Sequence, residues 1–190
     1  MKNRWDTLQA SKLNDKNPVA LRVYASKLLG ADADLVLHGG GNTSVKGTMR
    51  NVFGQQQRVL FVKGSGWDLK TIEEAGFPPV DLEYLLKLSG LSSLSDSDMM
   101  RHLRLALLDP KAPTPSVEAI LHGLIPHNYV DHTHADAVVA ISNSPNGAEL
   151  LSQLYGEEVL ILPYIMPGFV LAKQVAEATA NIDWSKLKEI

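Results

Sequence analysis

The sequence predicts an α/β fold with packed layers and a mixed or antiparallel sheet. Segments typical of helices and of strands alternate along the chain, which is the pattern of a layered α/β domain. Several links between strands are short, and short links suit antiparallel neighbours because parallel strands need a long crossover. Apolar residues make up 45% of the 190 residues, which is enough for a folded core and too many for a disordered chain.

The first element is a helix expected from Pro18 to Gly30. Asn17 is a favourable N-cap, proline fits the first helical position, and glycine commonly ends a helix. One face of this helix is apolar and is expected to be buried. It consists of Val19, Val23, Ala25 and Leu29.

Strands are expected next. Leu35–His38 is a short apolar run that ends in Gly39–Asn42, which predicts a strand, a tight turn and a second strand. Arg58–Lys63 is rich in residues that favour strands, and Gly64–Gly66 stops it.

Three helices are predicted in the middle of the chain, over residues 81–89, 96–108 and 116–125. Ser95 and Asp98 form a capping box for the second, with aspartate in place of the usual glutamate. The third has Thr114 as its cap and Pro115 at its first position, and Pro126 stops it.

The last part of the chain continues the alternation. The predicted elements are a strand over 129–132, a helix over 136–142, a buried strand over 159–165 and a helix over 168–180.

The composition excludes several classes of protein. The net charge is −3 and the 18 Lys and Arg residues are scattered, so neither nucleic acid nor a membrane surface is an expected partner. The chain has no Cys, so any metal must be held by His, Asp or Glu. Met1–Asp6 lacks the apolar core of a signal peptide, and the longest apolar stretch, Val159–Met166, is too short to span a bilayer. We therefore expect a soluble cytoplasmic protein.

His132 and His134 form a candidate metal site. Residues two apart on a strand point to the same face, so the two imidazoles could hold one divalent ion. The alternative is a pair of hydrogen-bonded histidines at the end of a strand. Zinc normally requires at least three protein ligands, so the pair by itself is incomplete.

Glu118 is a candidate acid or base in the first turn of a predicted helix. A lone carboxylate there also has a structural explanation, because it interacts favourably with the helix dipole. His122 lies four residues further on the same helical face. It could support the site indirectly, but a side chain that packs in the core or faces solvent is the more ordinary explanation.

Three segments could bind an anion through free backbone amides and hydroxyl groups. They are Gly39–Ser44, the turn of Gly64–Gly66 with Lys63 beside it, and Ser116 near a predicted helix N-terminus. Each alone could be an ordinary turn, and none has the spacing of a P-loop or a dinucleotide site. Together they would form one cradle if the fold brings them into contact.

Four motifs, taken in order and spacing, resemble the class II aldolase/adducin family. They are Gly-Gly-Gly-Asn-Thr-Ser (39–44), Lys-Gly-Ser-Gly (63–66), Pro-Ser-Val-Glu (115–118) and His-Thr-His-Ala-Asp (132–136). The longer strings around them are most similar to one branch, the N-terminal aldolase half of bifunctional rhamnulose-phosphate aldolase/short-chain dehydrogenase proteins. The resemblance extends from Trp5 to Ala180.

The resemblance implies a three-layer α/β/α sandwich around a mainly antiparallel sheet, assembled as a homotetramer. It implies a zinc ion on His132 and His134. The family's third histidine ligand lies in a later His-Gly segment, and no His follows His134 here. Residues 1–190 are therefore expected to be one aldolase-type domain that is truncated at its C-terminus. NAD would be a cofactor only of the dehydrogenase half, which is absent.

The resemblance also assigns roles to individual residues. The family's acid/base glutamate falls on Glu118. Its phosphate-binding positions fall on Asn42, Ser65, Gly66 and Ser116. Val117 occupies a position where many relatives have a second serine, so one phosphate hydrogen bond is expected to be missing.

The function implied is zinc-dependent cleavage of a ketose 1-phosphate through an enediolate. L-Rhamnulose 1-phosphate is the specific candidate, giving dihydroxyacetone phosphate and L-lactaldehyde. Glu118 would need a raised pKa for this role, and the chain without a third ligand is expected to be weakly active or inactive. The alternatives are a sugar-phosphate epimerase or dehydratase on the same scaffold, or a non-catalytic, adducin-like interaction module.

Overall fold

The computed structural model describes residues 3–14 and 17–184. The α-helices in these ranges are α1 (Thr7–Asn14), α2 (Pro18–Gly30), α3 (Leu82–Ser89), α4 (Asp96–Leu105), α5 (Ala119–Leu124), α6 (Asp136–Ser142), α7 (Gly147–Tyr155) and α8 (Phe169–Thr179). The strands are β1 (Asn42–Arg50), β2 (Gln56–Val62), β3 (Pro79–Asp81) and β4 (Tyr129–His132). Short 3-10 helices cover Glu74–Gly76 and Gly156–Glu158.

The four strands form one antiparallel sheet in the order β3-β2-β1-β4. The long central strand β1 pairs with β2 on one side and with β4 on the other, so Ser44 lies opposite both Val62 and Val130. The α/β class is confirmed, and of the two sheet types that the short links allowed, mixed or antiparallel, the described sheet is antiparallel.

Side chains alternate between the two faces of the sheet, and each face carries its own core. On one face Val45 packs with residues of α2 and of the segment after β2. This core consists of Val19, Val36, Val45, Leu69, Ile72 and Phe77. On the other face the sheet packs against α3, α4, α5 and α8. That core consists of Leu60, Val62, Val80, Leu82, Leu85, Leu88, Met99, Leu103, Ala106, Ala119, Ile120, Phe169 and Ala172. Helices on both faces make three layers, as expected.

Helix α2 has the predicted ends, but its buried face is more polar than the apolar pattern indicated. The side chain of Asn17 accepts a hydrogen bond from the Ala20 amide at 2.6 Å. Arg22 and Ser26 are fully buried, whereas Val23 and Leu29 are only partly buried. Polar groups can occupy this face because each one meets a hydrogen-bonding or charged partner on the sheet.

Two of those partners are on β1 and β4. Arg22 Nη2 lies 2.7 Å from Asp131 Oδ1, and the guanidinium carbon lies 5.7 Å above the centre of the Tyr129 ring. Ser26 Oγ lies 2.8 Å from Thr43 Oγ1. Helix α2 is thus bonded to the strand that ends at His132.

The strand predicted over Leu35–His38 is wrong. This segment consists of tight turns, in which the Leu35 and Val36 amides both donate to Asp32 O and the Gly40 amide donates to Leu37 O. His38 has a positive φ of 51°, which no strand residue adopts. Of the three apolar residues in the run, Val36 is buried and Leu35 packs against the same core, whereas Leu37 is exposed, and none of them is paired in the sheet.

The helix predicted over 116–125 begins later, at Ala119. Thr114 and Pro115 are not its cap and first residue, because their backbone is used by another segment. The Ser65 amide donates to Thr114 O at 2.8 Å, the Ser116 amide donates to Lys63 O at 3.1 Å, and Gly64 and Pro115 form an isolated β-bridge. Long-range pairing has overridden a good local capping signal.

The buried strand predicted over 159–165 is also wrong. Residues 159–166 have no regular secondary structure, and the apolar side chains in this stretch are largely exposed: Val159, Leu160, Tyr164 and Met166.

Helix α4 ends three residues earlier than expected, at Leu105. Helices α1 and α7 and the short strand β3 were not predicted. No helix in the described ranges is both long and apolar enough to cross a membrane.

Helix α5 is attached to β1 by two polar side chains on the same face of that strand. Ser44 Oγ lies 2.8 Å from His122 Nδ1, and Lys46 Nζ donates to three carbonyl oxygens at the end of the helix, at 2.6–2.9 Å. Burial lowers the pKa of His122 from 6.5 to about 4, against an opposing effect from Glu118. His122 is therefore a neutral, buried core residue, in agreement with the packing alternative.

The free energy of unfolding should fall as the pH is lowered from about 6.5 to about 4. Between these values the unfolded chain binds a proton at His122 that the folded chain does not, which corresponds to about 3 kcal/mol over the full window. Urea unfolding at several pH values measures this slope. His122→Asn, which can keep a polar atom facing Ser44, should be markedly less pH-dependent, while the exposed control His38→Asn should behave like the wild type. Equal slopes in all three proteins would contradict the assignment.

Candidate functional site

The three segments proposed to form a cradle meet beside the sheet. Their connection is made mainly by Lys63, the residue that follows β2. Its carbonyl accepts from the Ser116 amide at 3.1 Å, its amide donates to Thr43 O at 3.0 Å, and its Nζ donates to Gly39 O at 2.9 Å. The two glycine turns and the Ser116 segment are therefore neighbours, as the cradle hypothesis required.

Glu118 and His132 lie in direct contact. Glu118 stands immediately before α5, and its carboxylate Oε2 is 2.9 Å from His132 Nδ1. His132 is the last residue of β4, where the antiparallel register places it opposite Asn42 of β1. Asn42 Nδ2 donates to the same Oε2 at 3.3 Å. Sheet register and helix position together bring the predicted acid/base and a predicted metal ligand to one point.

Ser116 and Asn42 form the floor of the site. Asn42 Nδ2 donates to Ser116 Oγ at 2.5 Å, and Ser116 Oγ also accepts from the Glu118 amide at 3.2 Å. Asn42 is 3% exposed, and its Oδ1 has no hydrogen-bond partner within the part of the chain that the structure describes. An orphaned buried acceptor is rare and is a feature typical of sites that receive a further group.

Ser65 and Gly66 lie on the exposed side of the cradle. The backbone amide of Ser65 is already committed to Thr114 O. Gly66 has a φ of +85°, and a methyl group built there would meet no atom within 4 Å. These two residues therefore lie near the buried Asn42 and the half-buried Ser116 in the fold, but they are open to solvent.

The two candidate metal ligands lie side by side. The ring centroids of His132 and His134 are 4.8 Å apart, and the His134 amide is held by Leu35 O at 2.9 Å. If His132 Nδ1 carries the proton shared with Glu118, its Nε2 has a free lone pair, which is how carboxylates commonly orient metal-binding histidines. The donor chemistry thus suits zinc, but within residues 3–14 and 17–184 no group of three His, Asp or Glu side chains is arranged to hold an ion. The pair is an incomplete set of ligands.

The expected rise in the pKa of Glu118 is wrong. Burial does raise the pKa of this carboxyl group, but the hydrogen bond and electrostatic interaction with His132, together with the Asn42 amide, more than offset it. The net pKa lies below the ordinary value for glutamate, so the resting side chain is an ionised carboxylate.

Two supporting residues escaped the sequence interpretation. Lys63 was noticed only as a neighbour of a glycine turn, although it bonds to both other segments. Arg22 is not marked by any of the local sequence patterns, although its ion pair with Asp131 holds the strand that carries His132. A single charged residue on a largely apolar helical face is the signal that could have revealed Arg22.

Comparison with known proteins gives three findings. The family model "Class II Aldolase and Adducin N-terminal domain" matches residues 21–186. The chain is 38% identical over 181 residues to the uncharacterized oxidoreductase YuxG of Bacillus subtilis (strain 168), covering 95% of this chain but only 26% of that protein. The chain thus spans about a quarter of the length of this curated relative. It also superimposes on the structure of the N-terminal class II aldolase domain of a conserved protein from Thermoplasma acidophilum, with a TM-score of 0.86 and 38% identity over 97% of this chain and 82% of that one.

Gly41→Ala should destabilise the fold and disturb His132. Gly41 has a φ of +68°, and an added Cβ would clash with Val36 Cγ1 and lie 2.9 Å from the His132 carbonyl oxygen. We expect a loss of about 2 kcal/mol or more in the free energy of unfolding, measured with urea. Gly39→Ala is the matched control, because a Cβ there meets no atom within 4 Å. Equal effects of the two substitutions would show that the close approach at Gly41 is unimportant.

Proposed function

Because the chain belongs to the class II aldolase and adducin N-terminal domain family, we propose that it carries the zinc-dependent site of an aldolase that cleaves a ketose 1-phosphate. L-Rhamnulose 1-phosphate is the proposed substrate, with dihydroxyacetone phosphate and L-lactaldehyde as products. The observation that carries the proposal is the 2.9 Å contact between Glu118 Oε2 and His132 Nδ1, with His134 beside it. A carboxylate in contact with one of two adjacent imidazoles is the arrangement that suits proton transfer beside a bound zinc ion.

His132 and His134 are the residues that would hold the metal. The geometry of His132 supports this role, because Glu118 occupies Nδ1 and leaves Nε2 for an ion. When bound, zinc supplies Lewis-acid stabilisation of the negative charge that develops during cleavage. The third protein ligand that zinc normally requires is proposed to come from outside the described residues.

Glu118 is proposed to move the proton at carbon. Cleavage breaks the C3–C4 bond, the C4 hydroxyl group loses its proton as the aldehyde forms, and C3 gains one as dihydroxyacetone phosphate forms. As a carboxylate at rest, Glu118 would accept the proton that leaves the C4 hydroxyl group and deliver it to C3 in cleavage, and it would carry the proton in the opposite direction in the reverse condensation. Asn42 and His132 keep the carboxylate oriented for both directions, since both bond to the same oxygen.

The cradle is proposed to hold the phosphate of the substrate. Ser65 and Gly66 are open to solvent and can approach an anion, whereas the donor of Asn42 now faces Ser116 and Glu118 and would have to turn to reach one. Val117 is exposed but has no hydroxyl group, so the cradle is expected to be one hydrogen bond poorer than in many relatives. Binding at this remote group would position the reacting carbons.

Two wider proposals follow from the resemblance. The relative named an uncharacterized oxidoreductase is much longer than this chain, which supports placing the aldolase-type domain beside a dehydrogenase domain that would use NAD. Epimerase or dehydratase activity on the same sugar phosphates, and an adducin-like interaction role without catalysis, stay as alternatives. Assembly as a tetramer stays a prediction.

Glu118→Gln in the full-length protein should lower the turnover of L-rhamnulose 1-phosphate by at least about 100-fold, because the amide cannot carry the proton. The assay measures release of dihydroxyacetone phosphate, with zinc content determined in parallel and expected to be unchanged. Glu83→Gln, at an exposed glutamate of α3 paired with Arg58, is the control and should keep full activity. Full activity of Glu118→Gln would remove this residue from the mechanism. A wild type that epimerises or dehydrates the sugar phosphates would favour the alternatives.

Zinc should bind weakly to the 190-residue chain and more weakly still to His134→Gln. Two imidazoles leave positions to be filled by water, and affinity falls with each missing protein ligand. Calorimetric titration of zinc into the two proteins measures the difference. Tight, stoichiometric binding to the wild type would mean that another side chain of this chain completes the site.

A further inference from the structure

Helix α4 carries a shallow groove of about 470 Å³ on its solvent side. Two arginines and two apolar side chains dominate the lining, which consists of Ser97, Met100, Arg101, Arg104 and Leu105. Leu105 is 61% exposed. Arg101 is paired with Asp98 at 3.0 Å, whereas Arg104 has no ion pair within the described residues. Arginine and methionine are enriched in protein interfaces, so this α4 groove has the composition of a binding surface.

A second exposed surface is formed by residues 154–160, which span the end of α7 and the 3-10 helix that follows it. Its apolar side chains are 40–63% exposed, and they are Leu154, Tyr155, Val159 and Leu160. Glu157 and Glu158 lie between them, and both are exposed. Neither glutamate has an ion pair in the part of the chain that the structure describes. A cluster of exposed apolar side chains marks an interaction surface, in contrast to apolar residues that are scattered singly.

The α4 groove and residues 154–160 are complementary in both polarity and charge. Apolar side chains are flanked by arginines on one surface and by glutamates on the other. Opposite charges at the edge of an apolar contact steer the encounter and fix its register, and arginine binds carboxylates with two parallel hydrogen bonds. The flexible side chain of Met100 can also adapt to an aromatic ring such as that of Tyr155. Neither surface suits a second copy of itself, because the unpaired charges on each have one sign.

We infer that the α4 groove of one copy of this chain binds residues 154–160 of a second copy. Both surfaces are exposed in the same molecule, so they do not cover each other within one chain. The contact is heterologous, because two different surfaces meet, and such contacts close into a ring or continue as a filament. The inference does not rest on the proposed catalytic function. It names the surfaces through which copies would associate, which the expected tetramer does not.

A single contact of this kind should be weak. A standard interface uses about 20 or more residues a side, which is more than either surface offers. We therefore expect reversible, concentration-dependent association that weakens at high salt, because exposed charges are screened there. Sedimentation velocity of the 190-residue chain over a series of micromolar concentrations measures it.

Charge reversal on either surface should weaken the association by at least about tenfold, because like charges then face each other. Arg104→Glu reverses the groove and breaks no ion pair within the described residues. The double variant Glu157→Lys/Glu158→Lys reverses the segment. An equimolar mixture of the two variants should associate nearly as strongly as the wild type. In the mixture the reversed groove meets the reversed segment, and the unchanged groove meets the unchanged segment.

Matched controls come from the segment after β2, which packs on the face of the sheet opposite α4. Lys70→Glu changes the net charge as Arg104→Glu does, and Glu73→Lys/Glu74→Lys reverses another adjacent pair of exposed glutamates. Both controls should associate like the wild type. Circular dichroism and urea unfolding verify that every variant is folded.

The apolar part of the contact is tested without any change of charge. Leu105→Ser should weaken the association several-fold, whereas Leu8→Ser, at a leucine of α1 that is 77% exposed, should leave it unchanged. This pair of variants also decides the question should Arg104→Glu fail to fold.

Three outcomes would overturn the inference. The first is a wild type that sediments as a monomer at every concentration, which would leave the two surfaces to a different partner. The second is association that is indifferent to charge reversal and to Leu105→Ser, as expected of aggregation through any exposed apolar surface. The third is a mixture of the two reversed variants that stays as weakly associated as each variant alone.

Discussion

The hydrogen bond between Glu118 and His132 depends on how two separate elements are held against the same strand. Glu118 belongs to the segment leading into α5, and His132 ends β4. Both meet Asn42, which is the first residue of β1 and bonds to the carboxylate while lying opposite the histidine in the sheet. Both side chains therefore depend on the position of the start of β1, and a shift of this strand would move Glu118 and His132 together.

Buried polar side chains on β1 and its neighbours provide that alignment. On one face, Lys46 donates to the carbonyl oxygens of His122, Ile125 and His127, which lie at the end of α5 and just beyond it. On the other face, Arg22 reaches from α2 to Asp131, the residue before His132. Hydrogen bonds to charged groups are directional and costly to break when buried, so these contacts specify one arrangement where apolar packing alone would allow sliding.

The cradle beside Glu118 and His132 is formed by backbone hydrogen bonds between separate segments rather than by a recognisable loop motif. Pairing of residues 114–116 with residues 63–65 delays the start of α5 and leaves Ser116 free to bond with Asn42. The same pairing brings the buried Lys63 and the open backbone of Gly66 to the side of the site where Asn42 and Ser116 lie. Segments about fifty residues apart in the chain therefore lie beside one another.

The sequence by itself determined the α/β class, a sheet that is not purely parallel, the ends of α2 and the motifs that mark the family, because capping, periodicity and short links are local properties. It also singled out His132, His134 and Glu118. Only the tertiary structure decided that residues 35–38 are turns, that Thr114 pairs rather than caps, and that the 159–165 run stays out of the sheet. The net pKa of Glu118 likewise followed from contacts with His132 and Asn42, which no local pattern reveals. For Thr114 and for Glu118 the deciding partner is distant in sequence, and its hydrogen bond or charge outweighs a propensity of well under 1 kcal/mol per residue.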